Sequence, residues 1–113
     1  VYKRQASVCA TDVGQPLVDW MWRIFCESSP RAVDTLGELA SVDQRELLQS
    51  LSIPMLVFTG SEDGFVSPEI SRWVGEHCAS ARLVEYEGIG HAPFIEVTES
   101  YNAELVSFIN GLG

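Results

Sequence analysis

Two short stretches of the 113-residue chain carry side chains that could pass a proton between them, Gly60-Ser-Glu-Asp63 and Gly88-Ile-Gly-His91. An Asp held beside a His accepts a hydrogen bond from one ring nitrogen. It thereby fixes the tautomer and stabilises the imidazolium that forms when the other nitrogen takes a proton from a nucleophile. Asp63 and His91 would then be the acid and the base of a catalytic triad. Gly88 and Gly90 leave the backbone free to turn sharply around the histidine, and Pro93 stiffens the exit. The plainer reading is that an Asp in a glycine-rich turn caps backbone N–H groups, and that a loop His is simply solvated.

The two residues stand 28 positions apart, so the fold has to bring them together. The apolar run Ile53-Pro-Met-Leu-Val-Phe-Thr59 reads as a buried strand that ends in the Asp63 loop, and residues 82–86 read as a second strand ending in the His91 loop, 87–96. Pro54 opens the first strand, where a proline is tolerated. Between the strands, Ser67-Pro68-Glu69 starts a helix with its acid placed for the helix dipole. Ile70, Trp73 and Val74 would pack this helix inward as far as about Cys78. A strand–helix–strand unit of this kind has parallel strands and a right-handed crossover. Both loops should therefore leave the same carboxyl edge of the sheet, where open α/β sheets place their chemistry.

The remaining segments read as helices. Over residues 12–27, Leu17, Trp20, Met21, Ile24 and Phe25 recur at helical spacing, as for a face packed on the next helix. Ser29-Pro30 restarts a helix, with Val33, Leu36 and Leu39 on its apolar side. Asp43 then caps a short helix with Glu46 three residues on, and Leu47, Leu48 and Leu51 give it a buried side. Thr98 caps a last helix, whose Tyr101, Leu105, Phe108, Ile109 and Leu112 share one face.

Composition excludes several classes. Seven basic against 16 acidic residues give a net charge of −9, unsuited to phosphate contacts, so no nucleic acid is expected as a partner. No run of about 18 apolar residues is present to span a membrane. Three widely spaced cysteines without Cys-x-x-Cys fit reduced thiols in a cytoplasmic protein better than a disulfide framework or a zinc site. His77-Cys78 could form a thiol dyad, but a helix C-terminus disfavours the thiolate. The opening Val-Tyr-Lys-Arg-Gln5 resembles a translated adapter tail, and residues 1–5 are expected to be non-native.

The segment from Ile53 to Leu112 resembles the C-terminal end of an α/β-hydrolase. Gly60-Ser-Glu-Asp63-Gly-Phe-Val66 matches its Gly-x-x-Asp-x-x-Val, and Gly90-His91-Ala-Pro-Phe94 matches its Gly-His before the closing helix. Ser67 stands where many members have proline. Asp63-Gly64 and His91-Ala-Pro-Phe-Ile95 look most like the pimeloyl-ACP methyl ester esterase branch. The resemblance implies an α/β fold class: the C-terminal fragment of an α/β-hydrolase, two parallel strands with flanking helices, preceded by helices from the end of the cap. Residues 6–50 would be the end of the helical cap and connecting helices, and 51–113 the C-terminal part of the core. It further implies Asp63 as triad acid and His91 as general base, no cofactor or metal, and a small-molecule or acyl-carrier ester as substrate.

The family's Gly-x-Ser-x-Gly nucleophile elbow does not occur among the 113 residues. Ser7, Ser28, Ser29, Ser41, Ser50 and Ser52 lack its flanks and read as caps and loop residues. The chain is thus expected to be a fragment that carries acid and base, is inactive alone, and lacks the enzyme's N-terminal part. The rival reading is a non-catalytic hydrolase-like module that binds a ligand or a partner chain. Half of a nucleotide-binding fold fits less well, since no glycine-rich loop opens a helix.

Overall fold

The computed structural model describes residues 8–29, Gly37 and 41–113. Of the expected helix from Ser29-Pro30 to Ala40 only Ser29 and Gly37 are among the described residues, Gly37 being helical, and the expected non-native stretch 1–5 lies outside them. In chain order the elements are α1 (Gln15–Glu27), α2 (Arg45–Ser50), β1 (Met55–Gly60), α3 (Pro68–His77), β2 (Ala81–Tyr86), α4 (Pro93–Glu96) and α5 (Thr98–Asn110).

The two strands pair in parallel, with Met55 opposite Ala81 through to Gly60 opposite Tyr86. Successive side chains of a strand point to opposite faces, and the two faces are covered differently. On one, Leu83 meets α3 at Gly75, where an added Cβ would stand 2.9 Å from the leucine Cβ. On the other, Phe58 stacks with Tyr86 and lies 4.2 Å, centroid to centroid, from Tyr101 of α5. Arg72 of α3 pairs with Glu85 of β2, and Arg82 of β2 with Glu104 of α5, so ion pairs also tie the helices to the second strand.

Several element boundaries differ from the sequence reading. α1 begins at Gln15 rather than Asp12, because Gly14 takes φ 80° and Asp12 folds back to accept its N–H. α2 begins at Arg45, and its N-cap, Gln44, makes no side-chain cap; Asp43 instead accepts the Arg45 N–H and pairs with its guanidinium. The stretch after His91 is not all loop, since Pro93 starts the one-turn helix α4. Thr98 is the first residue of α5 and not its cap, for its hydroxyl donates back to the Phe94 and Ile95 carbonyls.

Burial differs too. Ile70 and Leu47, expected inside, are 59% and 57% exposed. Trp20, Ile24 and Phe25 of α1 are also about half exposed, and the helix expected to cover them lies almost wholly outside the described residues. Helical spacing identifies an apolar face but not what packs on it.

Candidate active site

β1 and β2 end side by side, and the loops beyond them are laced together. Ser61 N–H donates to the Tyr86 carbonyl, Glu62 N–H to that of Ile89, and Gly88 N–H to the Ser61 hydroxyl. Gly88 adopts φ 71°, a left-handed turn that favours glycine. Gly60 and Gly90 are needed for a different reason, close approach: an added Cβ on either would come within 3.0 Å of neighbouring backbone.

This lacing brings Asp63 and His91 together. His91 Nδ1 lies 2.8 Å from Asp63 Oδ2. A carboxylate only accepts, so the Nδ1–H donates; in the neutral ring the lone pair is then on Nε2. The other carboxylate oxygen, Oδ1, accepts the N–H groups of Phe65 and Val66 at 2.8 and 3.0 Å. Burial pushes the Asp63 carboxyl up, but the hydrogen bonds from Val66 N–H, the His91 ring and Phe65 N–H outweigh it and hold the pKa below the usual value. Its side chain is 7% exposed, whereas that of His91 is 43% exposed. The carboxylate is thus sheltered and the imidazole reaches solvent. Asp63 thus caps its own turn with one carboxylate oxygen and holds the His91 ring with the other. Phe65 flanks the histidine ring at 5.4 Å.

A cleft of about 250 Å³ opens at the pair, lined among others by Thr59, Val66, Ser71 and Phe94. A larger groove of about 550 Å³ lies between α2 and α3, bordered by Arg45, Leu48, Ile70 and Trp73 and away from Asp63 and His91.

The other sequence candidates do not assemble. His77 Nδ1 sits 2.9 Å from the carbonyl of Trp73, its ring stacks on that indole, and Cys78 is buried, so the adjacent pair forms no dyad. The Ser28 and Ser50 hydroxyls donate to carbonyls of their own helices. Among the described residues no cluster of three or more His, Cys, Asp or Glu could hold a metal ion, and no helix is long and apolar enough to cross a membrane.

Comparison with known structures places this architecture. An esterase from Exiguobacterium antarcticum superposes with a TM-score of 0.87 over 96% of this chain and 41% of its own, at 23% identity. A bromoperoxidase from Bacillus anthracis gives 0.86 over 96% and 42%, at 21% identity. The chain has the fold of the C-terminal part of an α/β-hydrolase. No family model matches it. Among curated proteins, the α/β-hydrolase part described here is similar to pimeloyl-acyl-carrier protein methyl ester esterase of Neisseria meningitidis serogroup C. The two are 28% identical over 87 residues, 77% of this chain and 34% of that one. The chain spans about a third of the length of that relative.

One element of this candidate site escaped the sequence reading. Glu96, at the end of α4, bonds the backbone just before His91 as well as residues 10 and 11. Its partners at the chain's start are 85 and 86 positions away. The only local signal was an acid five residues past the histidine, in a turn opened by proline.

Proposed function

We propose that the chain carries the acid and base of a Ser-His-Asp triad in a cytoplasmic, cofactor-free hydrolase that cleaves an ester or related carbonyl substrate. The observation that carries this reading is the 2.8 Å bond from His91 Nδ1 to a sheltered Asp63, with Nε2 left free to take a proton. In the intact enzyme, Nε2 accepts the proton of a serine hydroxyl as its oxygen attacks the substrate carbonyl. The same nitrogen then returns the proton to the departing alkoxide. Water deacylates the enzyme by the same route. Asp63 keeps the proton on Nδ1 throughout and stabilises the transient imidazolium. The serine and the oxyanion donors come from polypeptide beyond these residues, and residues 6–50 belong to the end of the cap and its return to the core. The named activity of the Neisseria relative supports a small or acyl-carrier-bound methyl ester as substrate class.

The test is ester turnover by the full-length gene product. Asp63→Asn should lower kcat by roughly 10⁴-fold, the size of effect seen for the equivalent change in a serine protease. His91→Ala should abolish turnover, with both variants folded. Folded variants that keep wild-type turnover would overturn the triad reading, and a folded wild type without ester turnover would leave the non-catalytic binding module as the better reading.

A further inference from the structure

Glu96 joins three stretches of the chain. Its Oε1 accepts the Gly90 N–H at 2.8 Å; its Oε2 accepts the N–H groups of Ala10 and Thr11, both at 2.8 Å, and the Thr11 hydroxyl at 2.9 Å. An ionised carboxylate offers about four lone-pair sites and no donor, so these four donors match it. Gly90 immediately precedes His91, whose own N–H donates to the Val8 carbonyl at 2.7 Å. Residues 8–11 therefore lie directly on the histidine loop, so closely that a Cβ on Gly90 would stand 2.6 Å from the Ala10 nitrogen. The peptide units on both sides of Gly90 are tied down, one by Glu96 and one by the segment that Glu96 holds.

We propose that Glu96 is a positioning residue for His91: its carboxylate clamps residues 8–11 onto the backbone ahead of the histidine, and this clamp sets the ring at hydrogen-bond distance from Asp63. The kinetic consequence rests on reading His91 as the general base, while the geometric one does not. The charge state matters as well as the shape. An amide at this position has one acceptor oxygen and an NH₂ that would face other N–H groups, leaving donors unpaired, among them the part-buried Gly90 N–H if the NH₂ takes the place of Oε1.

The full-length gene product with isotopically labelled histidine provides the test. The wild type should give a slowly exchanging His91 Nδ1–H signal. Glu96→Gln should broaden or abolish it while the rest of the amide spectrum stays dispersed. The same variant should lower kcat for p-nitrophenyl butyrate about ten-fold, the equivalent of one or two lost hydrogen bonds, with KM changed less than about two-fold. Thr11→Val removes one of the four bonds without touching Gly90 or His91, and should speed amide exchange at both by about five-fold. A folded Glu96→Gln protein with an unchanged Nδ1–H signal overturns the proposal, whatever its turnover. Should that variant not fold, unchanged exchange in Thr11→Val overturns it alone. If His91→Ala turns over the ester at the wild-type rate, the triad reading fails, and the signal and exchange measurements still decide the clamp.

Discussion

Gly60 and Gly90 meet with no room for a side chain between them: a Cβ on Gly60 would stand 2.2 Å from the Gly90 carbonyl oxygen. The obstacle is backbone, which cannot rotate aside. Gly60→Ala should therefore push the end of β1 away from the histidine loop. A destabilisation of about 1–3 kcal/mol or more is expected, in the range of overpacked interiors, measured as a lower urea midpoint. Ester turnover should fall with it, since Asp63 and His91 ride on the two parts being separated.

Gly88 makes the opposite case. Nothing lies within 4 Å of where its Cβ would be, yet its φ is 71°. Gly88→Ala should cost about 1–2 kcal/mol through backbone conformation alone. Gly88→Asn should recover part of that, because Asn tolerates the left-handed region. Thermal melts of the two variants check the order.

Asp63 also shapes acid stability. Its folded pKa lies below the ordinary carboxylate value, so the folded state binds the proton less readily than the unfolded one. The resulting stabilisation is present above the unfolded pKa of about 3.9 and disappears as pH falls through the lower folded value. Asp43, brought to about 2 by its hydrogen bond from Arg45, and Glu85, lowered by Arg72, titrate in the same acid range. The comparison is therefore wild type against Asp63→Asn. Urea midpoints of the two should converge between pH 5 and the acid limit, and a constant gap between them would contradict the assignment.

The 113-residue polypeptide on its own should associate. Among the described residues each strand has one unpaired edge, an invitation to intermolecular pairing. Apolar side chains outside the sheet are exposed as well: Phe25, Ile53, Phe65 and Val106 are all more than half exposed. Light scattering should report oligomers, and a hydrophobic dye should bind. A monodisperse monomer with a sharp cooperative melt would refute this.

The approach of Asp63 and His91 was legible in the sequence because parallel strands send both loops to one edge, and the Gly-x-x-Asp-x-x-Val and Gly-His resemblance singled out these two residues. Glu96 was not. Its role depends on residues 10 and 11, and no local pattern reports a partner so far along the chain. The start of α4 was missed because Pro93 serves equally well to stiffen a loop or to open a helix. The apolar stripes were real, but Ile70 and Leu47 face outward because periodicity does not say whether a neighbour is there to cover them.

The bonds from Ser61, Glu62 and Gly88 that cross between the two loops have a mechanical meaning. Asp63 and His91 are mounted on a single laced platform rather than on two independent arms. A displacement that widens or narrows the mouth of the cleft would carry both together. Access can then change while the alignment of Asp63 with His91 stays constant; in the proposed triad, the traffic of substrate would be uncoupled from the tuning of the proton path.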